Sequence, residues 1–410
     1  MRQEFDVAIV GAGPVGTALA ALLIARRVCA PARVAVIDAS FPASAEGADW
    51  DLRVFALSRA SERLLAACGV WGRLPVTHRL GYERMCVWDA GGTPGGRGSL
   101  SFDCADIGEP NLGSIVDGRA LKWHCLQAAR QAGAVCIEAG LRDVAVDEGA
   151  VRMRLADGRE IAARLLAAAD GARSPSRQLL GIGTRGHAYG ADALVMHVHT
   201  ERPHRNTAWQ RFLPSGPLAL LPLPDGRSSI VWSVHREKAE RLRALDAAAF
   251  SSALDEASDG VLGATRADTP LASFALQLQS ANVYARERVA LLGDAAHVVH
   301  PLAGQGLNLG FLDCAALVDV LEQAGQAAAF GDLRVLRRYE RWRKSENQPA
   351  AVGFDALDRL FSNDDPVLRA LRGVGLQAVS RLPFAKRWLA QRALGCRGDV
   401  APFITGPAEP

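Results

Sequence analysis

Lysine is scarce in this 410-residue chain: it supplies four of the 47 basic residues, Lys122, Lys238, Lys344 and Lys386. We read the arginine excess as codon bias rather than as a set of anion clamps. An excess of charge of one sign is also missing. With 44 acidic residues the net charge is only +3, which excludes the strongly basic profile of a nucleic-acid binder. Cys29, Cys68, Cys86, Cys104, Cys125, Cys136, Cys314 and Cys396 lie far apart, and no CxxC pair occurs. A structural zinc site is therefore not expected, and the cysteines read as small buried hydrophobes of a reducing compartment. Long apolar runs are lacking too. The longest near the N-terminus, Ala18 to Ala25, is far short of the ~20 residues of a membrane span. Glu4 and Asp6 replace the basic start of a signal peptide, so a cytoplasmic protein without a membrane span is expected.

What is present points to two or three packed lobes, because this length exceeds what one core usually organises. Phe5 to Val10 has the texture of a buried strand and runs straight into Gly11-Ala-Gly13-Pro-Val-Gly16, a helix-like stretch from Val15 to Arg27, and a second strand from Arg33 to Asp38. Helices are expected over Leu57 to Val70, Leu121 to Ala132 and Ala239 to Ala257. Short strands are expected at Val135 to Glu138, Leu141 to Val146, Val151 to Leu155 and Leu165 to Ala169. Gly91 to Gly98 reads as a loop or hairpin tip. From Ala193 to Trp232 alternating segments broken by proline and glycine indicate an antiparallel sheet, and Ser273 to Leu278 another strand. Val289 to Leu292 reads as a buried strand ending at Gly293-Asp294. A long apolar helix from Leu307 to Glu322 follows, then helical segments to Leu394.

Strand, glycine turn, helix, strand is the context in which glycines let a backbone approach a pyrophosphate lying against a helix N-terminus. Asp38 then stands where an acid hydrogen-bonds the adenosine ribose, which suits FAD or NAD rather than NADP. The glycine pattern alone is weak, since Gly181-Ile-Gly183-Thr-Arg-Gly186 and Gly373-Val-Gly375-Leu-Gln-Ala378 also fit it. Neither follows an expected strand, and both read as loop or helix-end glycines. In Gly293-Asp294-Ala-Ala-His297-Val-Val-His300-Pro-Leu-Ala-Gly304-Gln-Gly306-Leu307-Asn308-Leu-Gly310-Phe-Leu-Asp313 a strand ends on a carboxylate, Asp294, ahead of a glycine-rich loop. The loop from Gly304 opens a helix whose N-terminus can face an anionic group.

That segment resembles the second FAD-binding motif of the flavin-dependent aromatic hydroxylases, and its His-Pro-Leu-Ala-Gly-Gln-Gly core is similar to their ubiquinone-biosynthesis branch. Asp170-Gly171-Ala-Arg173-Ser174-Pro-Ser-Arg177 resembles the family's third motif, though Asp170 can equally cap a helix start. Asp51-Leu-Arg53 and Leu112-Gly-Ser-Ile-Val116-Asp-Gly-Arg119 resemble segments whose arginines, Arg53 and Arg119, approach the cofactor. Tyr339-Glu-Arg341-Trp-Arg343 extends the resemblance past the flavin helix.

The resemblance implies an α/β fold: a Rossmann-like FAD-binding domain of the para-hydroxybenzoate hydroxylase type, an inserted antiparallel β-rich substrate domain and a helical C-terminus. The implied divisions are 1–79, 103–186 and 280–345 for the FAD-binding domain, 80–102 and 187–279 for the substrate domain, and 346–410 for the C-terminal helical segment. Cofactor-binding residues would be Gly11, Gly13, Gly16, Asp38, Arg53, Arg119, Asp170, Gly293, Asp294, Gly304, Gly306, Leu307 and Asn308. The implied chemistry is hydroxylation of a polyprenyl-phenol of ubiquinone biosynthesis, with NADPH or NADH as co-substrate and O2 activated as a flavin C4a-hydroperoxide. A small soluble phenol as substrate, or an FAD-binding accessory role without hydroxylation, stays open.

No catalytic side chain is assigned. Ser58 and Ser61 lack a His and Asp partner set, and His297 and His300 are read as loop packing against a proton-transfer role. Trp209, Phe212, Leu220 and Trp232 could line an apolar pocket, with sheet core the favoured reading for most of them. Between Pro366 and Gly395 stand Arg369, Arg372, Arg381, Lys386, Arg387 and Arg392 without an acid. They suit a peripheral membrane surface or a partner in a biosynthetic complex, or else a terminal helix packed on the FAD domain. The oligomeric state, a homo-oligomer included, is left open.

Overall fold

The computed structural model describes residues 3–44, 49–299, 305–361, 395 and 400–404. Gly304, His300 and nearly all of the basic segment from Pro366 to Gly395 lie outside the described residues.

An eight-stranded sheet forms the base. Its main path runs Ala285–Arg286, Val289–Leu291, Glu160–Ala168, Gln3–Val10, Val34–Asp38, Val135–Glu138. The first pairing of that path is antiparallel and the other four are parallel. Leu141–Val146 and Val151–Leu155 add an antiparallel flank. Parallel strands covered on both faces need near-continuous apolar runs, which is how Val7 to Val10 and Val34 to Ile37 read and how they are buried. The helices Pro14–Ala25, Gly118–Ala132 and Gln305–Ala324 cover it, apolar along their buried faces. Glycine permits the closest of these contacts. A Cβ on Gly310 would lie 2.7 Å from the Val15 Cγ2, so the long helix rests directly on the first turn of the first helix.

A nine-stranded sheet follows the order His297–Val298, Ala272–Ala281, Thr184–Thr200, Ser228–His235, Gly216–Pro222, Thr207–Leu213, Arg84–Asp89, Ser99–Asp103, with Thr265–Ala267 beside Thr184–Thr200. All its pairings are antiparallel except that of Thr207–Leu213 with Arg84–Asp89. Residues 91–98 are the expected hairpin tip between its last two strands. One face packs on Phe250 and Leu254. Leu220 and Trp232 belong to that core and Trp209 packs against it, so the core reading of these three holds; Phe212, also buried, lies on the opposite face by strand alternation. Where one helix was expected over Ala239 to Ala257 there are two, Arg236–Arg243 and Ala247–Ala257. Asp246 accepts the Ala249 amide at 2.8 Å and starts the second. Gly186, expected in a loop, lies inside the strand Thr184–Thr200, where a Cβ would meet the Leu278 carbonyl oxygen at 1.9 Å.

Between the two large sheets lies a small one, Val54–Leu57 and Arg79–Gly81 on either side of Ser114–Asp117. Cys29, Cys68, Cys86, Cys125 and Cys314 are buried as expected, Cys104 and Cys136 half-buried. Burial pushes the thiols of Cys29 and Cys68 up to about 12. No described helix is long and apolar enough to cross a membrane.

Candidate functional site

Four adjacent parallel strands end at one place. In spatial order, Val289–Leu291 runs into Gly293-Asp294, Glu160–Ala168 into Asp170, Gln3–Val10 into the Gly11 to Gly16 turn, and Val34–Asp38 ends on Asp38 itself. The carboxyl edge of such a sheet is where ligands bind in open α/β folds. In the glycine turn a Cβ on Gly16 would lie 2.1 Å from the Gly11 carbonyl oxygen. One on Gly11, whose φ is +113°, would lie 2.3 Å from the Ala169 carbonyl oxygen. A Cβ on Gly13 would meet nothing within 4 Å. Gly11 and Gly16 are therefore required by the fold, whereas Gly13 faces open space. Asp38 accepts the Ala12 amide at 2.6 Å and the Ser40 amide at 3.2 Å, which places its carboxylate against the turn.

Gly293 adopts φ +55° and turns the chain so that Asp294 follows beneath the long helix. Burial raises the Asp294 carboxyl above its ordinary value, with His297 and Arg53 acting in the opposite sense. Gln305–Ala324 begins beside this turn, and the amides of Gly306 and Leu307 belong to its first turn, ahead of the first intrahelical hydrogen bond. The Asn308 side chain is otherwise engaged. Its Oδ1 accepts the Ser58 amide at 2.9 Å and the Ser61 hydroxyl at 2.7 Å, and its Nδ2 donates to the Ala56 carbonyl at 2.9 Å. Ser58 and Ser61 thus anchor the helix start rather than forming a nucleophile site.

Arg53 is exposed at the edge of the small sheet, its guanidinium 5.4 Å from the Phe55 ring centre. Gly118 donates to the Arg53 carbonyl at 3.1 Å, which brings the neighbouring Arg119 to the same edge; Arg119 donates to the Asp49 carbonyl at 2.5 Å. Asp170 accepts from the Ser174 hydroxyl, and from the Ser176 amide at 2.8 Å. It therefore holds the start of the short helix Pro175–Leu179 in the capping manner. Arg177 donates to the Ala295 carbonyl at 2.8 Å and so ties this turn to the Gly293 turn.

The hub of the site was not singled out from sequence. Asp313, fully buried on the long helix, accepts the Gly293 amide at 2.9 Å, pairs with His297 Nε2 at 2.6 Å and Arg343 Nε at 2.7 Å, and accepts Asn347 Nδ2 at 3.2 Å. Burial would raise its carboxyl, but His297 and Arg343 outweigh burial and hold it at about 2. One acid thus joins the turn, the long helix and the helix Leu333–Phe361. The available signal was an acid set between the apolar stretches of the long helix, facing a later arginine.

The site's fit to FAD agrees with the chain's relatives. A family profile described as an FAD binding domain matches residues 125–350. The chain is 37% identical over 393 residues to the ubiquinone hydroxylase UbiL of Rhodospirillum rubrum, covering 95% of this chain and 89% of that one. It is 34% identical to the 3-demethoxyubiquinol 3-hydroxylase of Escherichia coli, covering 96% and 99%. Among solved structures, p-nitrophenol 4-monooxygenase PnpA from Pseudomonas putida superposes with a TM-score of 0.75 at 19% identity, covering 96% of this chain and 99% of that one. The chain belongs to the ubiquinone-biosynthesis branch of the FAD-dependent aromatic-ring hydroxylases.

Proposed function

We propose that this chain hydroxylates the ring of a polyprenyl-phenol intermediate of ubiquinone biosynthesis, taking electrons from NAD(P)H and one oxygen atom from O2. The observation that carries the reading is the meeting of four motif turns at the carboxyl ends of adjacent parallel strands, beside the first turn of a long helix. FAD suits that place. Gly13 leaves room for a pyrophosphate, and Asp294 is a desolvated carboxylate with no hydrogen bond from a described residue. Bound there, FAD supplies the electron transfer and dioxygen chemistry that no side chain provides.

The chain's own work is to bind, orient and exclude water. Gly11, Gly13 and Gly16 admit the phosphates to the first helix's N-terminus, and Asp38 orients the adenosine ribose. Asp294 accepts ribityl hydroxyls, and the amides of Gly306, Leu307 and Asn308 present partial positive charge to the flavin's pyrimidine edge. Arg53 and Arg119 approach from the small sheet, while Asp170 fixes the neighbouring turn. We assign 1–79, 103–186 and 280–345 to the FAD-binding domain, 80–102 and 187–279 to the substrate domain and 346–410 to the C-terminal segment. The eight-stranded sheet falls wholly within the first set, which supports the division.

The basic stretch from Arg369 to Arg392 is assigned to a membrane surface, where a polyprenyl substrate resides. Co-sedimentation with anionic liposomes should weaken when its charges are reversed, and an unchanged sediment rejects that assignment. The activity is tested by following NADPH and NADH oxidation in the FAD-loaded protein with and without prenylated phenols. Stimulated oxidation with a product carrying one added oxygen is expected; oxidation without such a product reduces the chain to an FAD-binding accessory. Quinone profiling of a deletion strain then names the ring position from the intermediate that accumulates.

A further inference from the structure

The two faces of the nine-stranded sheet differ. Leu218, Leu220 and Trp232, on the helix-covered face, are at most 1% exposed. Their alternating neighbours Ala219, Leu221 and Val231, equally central in the sheet, keep intermediate exposure. Gln210 stands on this second face, directly opposite Ala219 on one side and Val87 on the other. It is only 6% exposed, yet its carboxamide has no hydrogen-bond partner among the described residues, and its polar atoms are not among those fully sealed from solvent. One pleat along from Ala219, Leu221 packs with Val54 and Ala56 of the small sheet. The Ala56 carbonyl is the group that Asn308 grips at the start of the long helix. Gln210 thus sits among apolar neighbours on the face of the large sheet that packs against the small sheet beside the proposed flavin.

A carboxamide so little exposed and without a protein partner is solvated poorly, because the apolar side chains around it leave room for few waters. The penalty is lifted where a bound molecule supplies the missing hydrogen bond. We propose that Gln210 orients the aromatic substrate by hydrogen-bonding an oxygen substituent of its ring, while Val87, Ala219 and Val231 hold the ring and alkyl carbons. Its Oε1 accepts from a phenol hydroxyl, and its Nε2 donates to a hydroxyl, methoxy or quinone oxygen. Gln210 carries no charge and its cross-strand neighbours are apolar, so this face takes a neutral oxygenated ring rather than a benzoate. The inference rests on the hydroxylase reading and refines its substrate class.

The test uses FAD-loaded wild type, Gln210→Leu and Gln210→Glu. Binding of 2-prenylphenol and of prenylbenzene, which lacks the hydroxyl, is read from the flavin absorbance change, alongside KM, kcat, FAD content and thermal midpoint. Wild type should prefer the phenol by about tenfold, the scale of one neutral hydrogen bond, and Gln210→Leu should lose that preference. In Gln210→Leu, KM for the phenol should rise while FAD content is kept and the thermal midpoint stays level or climbs, which a structural glutamine would not allow. Gln210→Glu should keep phenol preference, since its carboxylate still accepts from the hydroxyl, but bind a methoxy-substituted ring more weakly than wild type. Equal binding of both compounds by the wild type overturns the proposal, as does a leucine variant that discriminates like wild type or loses thermal stability without losing discrimination. If the wild type binds the phenol selectively and the leucine variant does not, but no hydroxylated product forms, the hydroxylase reading fails and the Gln210 contact stands as ring binding alone. If it hydroxylates and the leucine variant is indistinguishable, only the Gln210 assignment fails.

Discussion

A methyl group added at Gly13 meets no atom within 4 Å, whereas one at Gly16 lands 2.1 Å from a backbone carbonyl oxygen. Gly13→Ala is therefore expected to leave the thermal midpoint of the FAD-free protein unchanged. It should weaken FAD on the order of tenfold, since the methyl intrudes only where the phosphates approach. Gly16→Ala should lower both the midpoint and the affinity. Melting of the stripped protein and FAD fluorescence titration separate the two; a Gly13→Ala protein with wild-type affinity would place the phosphates elsewhere. Asp313 offers the complementary case of a charge whose loss is felt by the fold. Asp313→Asn strands the buried Arg343 guanidinium, 2% exposed, and should cost about 3–5 kcal/mol in urea unfolding. A loss below 1 kcal/mol would show the hub to be dispensable. Gly16 declared itself in the sequence because its need is local, set by residues a few positions away. Asp313 did not, because its partners at 293, 297, 343 and 347 come together only in three dimensions.

The start of the helix Gln305–Ala324 is fastened to the small sheet by one side chain. Asn308→Ala would leave the Ser58 amide and the Ala56 carbonyl without that partner, both at 2.9 Å in the native chain. It should destabilise the protein by about 1–3 kcal/mol. FAD affinity should fall with it, since the first-turn amides lose their fixed position. An Asn308→Ala protein that is destabilised but binds FAD with unchanged affinity would show that the helix start need not be anchored for the site to form. At this scale the long elements were legible: the strand Gln3–Val10, the helix Pro14–Ala25 and the helix Gln305–Ala324 each carry enough apolar residues in sequence to announce themselves. Val54–Leu57 and Ser114–Asp117 were not read as strands. Each is short and is held by pairing with a segment far away in the chain, which nothing local announces. The same limit hid Gln210, since alternation shows that successive residues face opposite ways but not which face is covered. Only the helices Arg236–Arg243 and Ala247–Ala257, packed on the Trp232 side, decide that.

Across the whole molecule, buried titratable groups define a window of stability. Burial lowers the pKa of His124, His197 and His204 below the ordinary histidine value of 6.5; for His197 the Arg227 charge acts in the same sense. These rings stay neutral in the fold while the unfolded chain takes up protons, so their contribution is intact above about pH 6.5 and is lost as pH falls below it. At the alkaline end the sign is reversed. Burial raises the thiols of Cys29, Cys68, Cys125 and Cys314 above their ordinary value of 9.0, so they stay protonated in the fold while unfolded thiols ionise, and stability falls as pH rises past 9. Carboxylates such as Asp313, held at about 2, are lost only below the ordinary aspartate value of 3.8. Denaturant midpoints should therefore be level between about pH 6.5 and 9, decline from 6.5 toward 5, and drop further below 4. His197→Leu keeps the site apolar and should flatten part of the first decline while leaving the carboxylate step in place. Midpoints that stay level down to pH 5 would mean that the three rings are reached by water in the folded protein.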